Sequence, residues 1–141
     1  MSDRKFYLFL AAQILATALL LSWLSVWPGS WNLSRCIGFG LAVIGLALVF
    51  TARYQLGKSF SVTPQARVLV THGLYFRIRN PIYVFGSLVV LGTILIFQRP
   101  YLWFLLAVLI PVQALRARRE AAVLEGKFGE SYRQYRRKTW F

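Results

Sequence analysis

Acidic residues are scarce in this chain of 141 amino acids, which carries 4 Asp and Glu residues against 17 Lys and Arg residues and has a formal net charge of +13. Cysteine and histidine occur once each, as Cys36 and His72. A single cysteine excludes an intramolecular disulfide and a multi-cysteine metal site, so Cys36 is best interpreted as a small apolar side chain. The chain also lacks a Gly-x-Gly-x-x-Gly motif, which argues against a Rossmann-type cofactor fold.

Apolar residues dominate what is present. Hydrophobic residues make up 57% of the chain and charged residues 15%, and the mean hydropathy is +0.54. This is the composition of a membrane protein. The basic residues flank long apolar runs, so we expect anionic lipid headgroups, and not nucleic acid, as their counter-charge. The alternative of a basic nucleic-acid-binding module requires a chain that salt or alkali extracts from membranes.

Four apolar segments predict four membrane-spanning helices in a single all-α membrane domain. They cover residues 6–27, 35–52, 81–97 and 101–115. The last two are separated by three residues and should form a tight helical hairpin. The stretch 53–80 is too long for a simple connection and too apolar for disorder, so we expect a cytoplasmic loop that folds back against the membrane or the helices.

The distribution of basic residues predicts the orientation. Fifteen of the 17 Lys and Arg residues lie at the amino terminus, in the loop 53–80 or in the carboxyl-terminal tail. With an even number of spans these three regions lie on the same side of the membrane. The positive-inside rule identifies the side that carries most of the Lys and Arg residues as the cytoplasmic one. We therefore expect both termini in the cytoplasm, the loop beside the tail, and a location in a bacterial inner membrane.

The second apolar segment is rich in glycine. Gly38, Gly40 and Gly45 leave one side of the predicted helix nearly free of side chains. Small residues of this kind let a neighbouring helix approach closely in a membrane. We expect this helix to be the one against which the others pack.

The stretch 73–86, GLYFRIRNPIYVFG, leads from a basic loop into the third apolar segment. Arg79 and Asn80 directly precede Pro81, a residue favoured at the first position of a helix. Polar groups therefore gather at a helix amino terminus, where anionic groups are stabilised. The alternative is a positively charged loop that simply abuts a membrane span.

The tail, residues 113–137, has apolar and aromatic residues at helical spacing and predicts an amphipathic cytoplasmic helix. Of its three acids, Glu120 lies nearest the centre of this stripe, and Glu130 lies almost opposite. Gly126 and Gly129 weaken the helix near its end, where we expect a break. The outer face carries most of the basic residues and can meet phospholipid headgroups.

Glu120 has two interpretations. Arg116 lies four residues earlier, so the carboxylate can form an ordinary helix ion pair, which contributes little when exposed. Alternatively, an inward carboxylate opposite Arg79 and Asn80 can hold a cationic group of a ligand at a membrane-embedded site.

The pairing of GLYFRIRNPIY with REAAVLEGKFGESYRQY resembles the membrane methyltransferases that include isoprenylcysteine carboxyl methyltransferase and the phospholipid N-methyltransferases. The likeness runs from Gly57 to Tyr135, more than half of the chain. It implies S-adenosylmethionine as cofactor, bound at the cytoplasmic face between the start of the penultimate span and the tail helix. It also implies a lipophilic acceptor that partitions into the membrane.

The family motifs imply a site. Arg-His-Pro-x-Tyr falls on 79–83, with Asn80 in the second place, and Phe-Gly-x-x-Tyr falls on 128–132. The paired glutamates fall on Glu120 and Ala121, and this missing acid motivates an alternative, a non-catalytic protein that keeps the fold for lipid binding or packing. For His72 a loop or surface role is preferred to that of a catalytic base. The implied cofactor-binding residues are His72, Gly73, Tyr75, Arg79, Asn80, Pro81, Tyr83, Gly86 and Glu120, with Arg79 and Glu120 as the catalytic pair and no metal ligand.

Overall fold

The computed structural model describes residues 3–57 and 69–140, and within these ranges the chain is helical. The α-helices are α1 Asp3–Val26, α2 Leu33–Leu56, α3 Pro81–Phe97, α4 Trp103–Phe128 and α5 Glu130–Lys138. Two short 3-10 helices, Gly73–Phe76 and Pro100–Leu102, precede α3 and α4. The described residues contain no β-strand beyond a single bridge between Ile78 and Trp140. The all-α prediction is confirmed for this part of the chain.

Two of the described helices are long and apolar enough to cross a membrane. These are Leu33–Leu56 and the stretch Pro100–Phe128. Ala11–Val26 and Pro81–Phe97 are shorter apolar helices. The structure thus supports a helical protein with two candidate membrane spans, and the predicted number of four stays a prediction. The middle of the predicted loop, 58–68, lies outside the described residues.

The closest helix contact joins α2 to α3 through small residues. A Cβ added at Gly92 of α3 would lie 2.5 Å from the carbonyl oxygen of Gly38 and 2.7 Å from the backbone nitrogen of Ala42. Gly45 likewise faces α3, with a backbone nitrogen 3.1 Å from its Cβ position. Gly40 meets no atom within 4 Å, so the expectation that all three glycines of α2 share the packing side is wrong for Gly40. At 100° per residue, Gly40 lies about 160° from Gly38 on the helix.

Arg35 joins the end of α1 to the start of α2. Its side chain is buried, and its guanidinium donates hydrogen bonds to the carbonyl oxygens of Leu24 at 3.1 Å, Trp27 at 2.5 Å and Gly29 at 2.9 Å. It also lies 4.7 Å from the centre of the Trp31 ring. The last carbonyls of a helix lack partners within the helix, and a cation there is favourable. Arg35 satisfies these groups and holds the two helices together.

A short connection links α3 to α4. Gln98, the residue after α3, adopts the left-handed conformation with φ 54° and exchanges two amide hydrogen bonds with Asn32, at 2.7 and 3.1 Å. The 3-10 turn Pro100–Leu102 then leads into α4, and α3 and α4 contact each other.

The fourth apolar segment and the first part of the tail form one helix. α4 passes through Pro111 and ends at Phe128, and Gly129, with φ 52°, separates it from α5. The single helix predicted over 113–137 is therefore divided, at the position where the glycines predicted a break. No boundary appears near residue 115, because Ala, Leu and Arg are strong helix formers and a change in polarity does not interrupt a helix.

Candidate functional site

The start of α3 is joined to α4 by a hydrogen bond between side chains. The Tyr83 hydroxyl donates to the Oε1 atom of Glu120. The same oxygen accepts from Nε of Arg116 at 3.2 Å, and the Arg116 guanidinium lies 5.9 Å from the centre of the Tyr83 ring. Glu120 thus makes the helix ion pair and also faces α3. Its side chain is 27% exposed, against 62% for that of Glu130, which lies on α5, beyond the break at Gly129.

Tyr83 is placed by the way α3 begins. Pro81 is buried at the amino terminus of α3, and the carbonyl oxygen of Asn80 accepts hydrogen bonds from the backbone nitrogens of Tyr83 at 3.1 Å and Val84 at 3.3 Å. The side chain of Asn80 makes no capping hydrogen bond. Its amide is therefore not committed to the helix and can meet a ligand.

The carboxyl-terminal tail closes against the segment before α3. The hydroxyl of Tyr135, on α5, donates to the carbonyl oxygen of Tyr75 at 2.7 Å. Beyond α5, the backbone nitrogen of Trp140 donates to the carbonyl of Arg77 at 2.6 Å, and the carbonyl of Trp140 accepts from the nitrogen of Arg79 at 3.1 Å. These bonds fix the backbone of Arg79 against the tail.

Arg79 lies beside two tyrosines of α5. Tyr132 is fully buried, and its hydroxyl has no hydrogen-bond partner among the described residues. Burial raises the pKa of Tyr132, and the positive charge of Arg79 opposes that shift. Burial and the neighbouring Tyr132 raise the pKa of Tyr135 to about 12, again against the effect of Arg79.

Tyr75 faces the same group of side chains. Burial is the main cause that raises its pKa, and the nearby ionisable groups of Tyr135, Glu120 and Tyr83 add to the shift, whereas Arg53 of α2 lowers it. The structure therefore brings residues from the 3-10 helix, α3, α4 and α5 into one place. We call this the polar cluster, which consists of Tyr75, Arg79, Tyr83, Glu120, Tyr132 and Tyr135.

Three other residues of the predicted site contact different groups. His72 is exposed, and its carbonyl accepts from the backbone nitrogen of Tyr75 at 3.2 Å. Gly73 has φ +61°, a conformation that favours glycine, and any side chain there would have to displace the end of the Gln55 side chain. Gly86 faces Gln113 of α4, whose Nε2 atom lies 3.9 Å from the position a Cβ would take.

Sequence reasoning left two neighbours of the site unassigned. Gln55 accepts from the backbone nitrogen of Leu74 at 2.7 Å and so orders the turn before α3. Gln113 accepts a hydrogen bond from the Ser87 hydroxyl at 2.9 Å. A signal for Gln113 was present, because it is the one polar residue in the run 104–115. Nothing in the sequence around Gln55 distinguishes it from other polar residues at a helix end.

The fold and the site together define a helical, membrane-type protein with a cluster of charged and aromatic side chains where α3 and α4 meet the tail. A family model described as phospholipid methyltransferase matches residues 33–131, from the start of α2 into α5. The chain belongs to the phospholipid methyltransferase family, which confirms the resemblance.

One curated relative adds detail. The protein-S-isoprenylcysteine O-methyltransferase of Schizosaccharomyces pombe (strain 972 / ATCC 24843) is 35% identical over 108 residues. The match includes 71% of this chain and 45% of the relative, so the chain spans less than half of that protein's length. Both similarities are to methyltransferases, and both agree with the apolar helices of the structure.

Proposed function

We propose that the protein is an S-adenosylmethionine-dependent methyltransferase that acts on a lipophilic acceptor from the bilayer. The hydrogen bond between Tyr83 and Glu120 carries this proposal, because it brings together the start of α3 and the tail portion of α4, the two segments between which the family binds its cofactor. Membership of the family supports the reaction class. The name of the yeast relative, which refers to isoprenylcysteine, supports an acceptor with an apolar tail.

The residues present suit the cofactor. The carboxylate of Glu120 can bind the ammonium group of the cofactor. Its partly exposed ion pair with Arg116 is weak, so the ammonium group can replace Arg116 as its partner. Arg79 and the unpartnered hydroxyl of Tyr132 are donors for the carboxylate, since a buried polar group normally has a partner. Asn80 can meet a ribose hydroxyl. The candidate residues thus match the cofactor group by group.

The bound cofactor supplies an electrophilic methyl group, and the protein's part is to position it and to exclude water. The aromatic rings of Tyr75 and Tyr83 suit a sulfonium cation, because ring faces attract positive charge. Arg79 and Glu120 are the pair to which we assign catalysis, through binding and orientation. The remaining predicted residues, His72, Gly73, Pro81 and Gly86, shape the backbone and the space around this pair.

We infer that four helices cross the membrane with both termini in the cytoplasm of a bacterium. The helices α2 and α4, the shorter apolar helices α1 and α3, and the one-sided basic residues support this orientation. The last turn of α5 carries Arg136, Arg137 and Lys138, all exposed, which suit contact with anionic headgroups. The acceptor then enters from the bilayer and the cofactor from the cytoplasm.

Calorimetric titration of the purified full chain with S-adenosylmethionine tests the proposal. We expect saturable binding, and transfer of label from methyl-labelled cofactor to a bacterial lipid extract. No binding at millimolar cofactor would refute the enzyme. Ala121, in the place of the family's second acid, favours a second candidate, a non-catalytic protein that keeps the fold. Binding of cofactor without transfer to any lipid fraction would support that candidate.

A further inference from the structure

A line of polar side chains extends from the polar cluster into the apolar part of the helices. On α3 it includes Tyr83 and Ser87, which are four residues apart and share one face. On α4 it includes Gln113, Arg116 and Glu120, which are spaced by three and four residues. Two hydrogen bonds cross between the helices, from Tyr83 to Glu120 and from Ser87 to Gln113. We call these five residues the polar seam.

Gln113 is the deepest member of the polar seam on α4. Within residues 104–115, all side chains except that of Gln113 are apolar. A polar side chain inside a membrane helix is costly unless it has a partner or a function. The oxygen of the Gln113 amide accepts from Ser87 at 2.9 Å. Its nitrogen, with two N–H donors, has no acceptor among the described residues and lies near Gly86.

Gly86 leaves space in front of this amide. The nearest atom to its absent Cβ is the nitrogen of Gln113, at 3.9 Å, and any side chain on this residue would occupy the space that the amide faces. Gly86 lies one turn from Tyr83, so the space adjoins the polar cluster.

We propose that Gln113 recognises the methyl acceptor by donating a hydrogen bond to an oxygen of its head group, while Ser87 holds the amide in the required orientation. This proposal rests on the proposed function, because it concerns the acceptor side of the same site. The acceptor is a lipid-like molecule whose head group carries a hydrogen-bond-accepting oxygen, as a carboxylate, a phosphate ester or a carbonyl does. An ammonium head group offers only donors and leaves the amide unsatisfied.

The test uses the full chain in lipid nanodiscs, with methyl-labelled S-adenosylmethionine and graded amounts of a bacterial lipid extract. Gln113→Leu should raise the apparent KM for the extract about tenfold or more, because the head-group oxygen loses its hydrogen-bond donor in a site where no other donor replaces it. The calorimetric Kd for the cofactor should stay within about twofold, since Gln113 is not part of the polar cluster.

Gln113→Glu is the sharper variant. It keeps an oxygen for Ser87 but has no N–H donor and carries negative charge, so it should raise the KM at least as much as Gln113→Leu does. Ser87→Ala should raise the KM by a smaller factor, because the amide loses its orientation. Thr93→Val is the matched control on α3, since the Thr93 hydroxyl bonds to the carbonyl of Val89 in its own helix, and it should change neither constant.

The outcomes separate the two proposals. A wild-type protein that transfers methyl groups, with an unchanged KM in both Gln113 variants, would overturn the role of Gln113 and leave the proposed function standing. A lower KM in Gln113→Glu would mean a cationic head group and would also overturn it. A wild-type protein that neither binds cofactor nor transfers methyl would remove the proposed function itself. Separation of the labelled extract shows the source of the oxygen, because methylation of a carboxylate leaves the label in a methyl ester that base hydrolyses to labelled methanol, whereas a phospholipid acceptor leaves it in the phospholipid fraction. Either result supports the proposal if the KM changes.

Discussion

Tyr83 and Glu120, which are 37 residues apart in the chain, are joined by a hydrogen bond from the tyrosine hydroxyl to the carboxylate. Glu120 also pairs with Arg116 at 3.2 Å, so one acid connects α3 with the tail portion of α4. The helix ion pair predicted for Glu120 is therefore present, and the carboxylate also faces α3, whereas its role in holding a cationic group of a ligand stays a prediction. A carboxylate held in this way keeps lone pairs for a third donor, which is what an ammonium group of a ligand requires.

Glu120→Gln tests this position. We expect the Kd for S-adenosylmethionine to rise about 10- to 100-fold, because hydrogen bonds to a charged group contribute about 1.5–3 kcal/mol. The thermal melting temperature should change little, since the ion pair with Arg116 is partly exposed and such pairs are weak. Calorimetry and thermal melting measure the two effects.

Glu130→Gln is the matched control for Glu120→Gln. Its carboxylate lies at the start of α5, is 62% exposed, and approaches Arg133 at 3.8 Å. We expect no change in cofactor affinity. Equal effects of the two substitutions would refute the assignment of Glu120 to the site.

The features predicted from sequence are those that local periodicity controls. The low helix propensity of glycine indicates the break at Gly129, and helical spacing brings Arg116 and Glu120 together, because both depend on residues a few positions apart. The predicted angle between Glu120 and Glu130 assumed one continuous helix, and the break places these two acids on different helices. The bond from Tyr135 to Tyr75 could not be predicted in this way. It joins residues 60 apart and depends on how the chain returns from α2 to α3, which hydrophobic patterning does not specify.

Removal of the hydroxyl group should change the melting temperature in opposite directions at the two buried tyrosines of α5. Tyr132→Phe should preserve or raise the melting temperature, because a buried hydroxyl without a partner costs about 1–3 kcal/mol. The same change should weaken binding of S-adenosylmethionine about tenfold if this hydroxyl meets the cofactor. Tyr135→Phe should lower the melting temperature, because it removes the bond to the carbonyl of Tyr75, worth about 0.5–1.5 kcal/mol.

Binding of two cofactor analogues can show which part of the cofactor Tyr132 contacts, because 5′-methylthioadenosine lacks the amino-acid part that S-adenosylhomocysteine has. Tyr132→Phe should weaken the binding of S-adenosylhomocysteine and leave the binding of 5′-methylthioadenosine unchanged. Equal weakening of both would place the hydroxyl at the nucleoside. A lower melting temperature with unchanged affinities would show that Tyr132 has a structural role.

Stability at alkaline pH should depend on Tyr135. The pKa of a tyrosine in an unfolded chain is about 10, and burial raises that of Tyr135 in the folded protein to about 12. Below pH 10 both states hold the proton and the contribution to stability is complete. Between pH 10 and 12 the unfolded state loses its proton first, so the free energy of unfolding falls as pH rises. Burial also raises the pKa values of Tyr75 and Tyr132, which act in the same direction.

Thermal melting of the wild type and Tyr135→Phe at pH 9 and pH 11 checks this dependence. The melting temperature of the wild type should fall between the two pH values, and that of Tyr135→Phe should fall less. Identical decreases would mean that other groups control alkaline unfolding.

Gly92→Ala should be among the most damaging single-methyl changes in the helix bundle. The new Cβ would lie 2.5 Å from the carbonyl oxygen of Gly38 and 2.7 Å from the nitrogen of Ala42, and both are backbone atoms that cannot turn aside. The helices must separate, and overpacking of this kind costs about 1–3 kcal/mol. Thermal melting in the presence of lipid measures the loss.

Gly40→Ala is the control that separates packing from helix propensity. Gly40 lies on the same helix as Gly38, but a Cβ there meets nothing within 4 Å. Alanine favours a helix over glycine by up to about 1 kcal/mol, so this variant should melt at the same or a higher temperature than the wild type. Gly92→Ala gains the same propensity and should still melt lower, because the clash exceeds that gain. If Gly92→Ala were as stable as Gly40→Ala, α2 and α3 could not be packed closely enough for the added methyl group to clash. That result would contradict the close helix packing that places α3 and Tyr83 in the site.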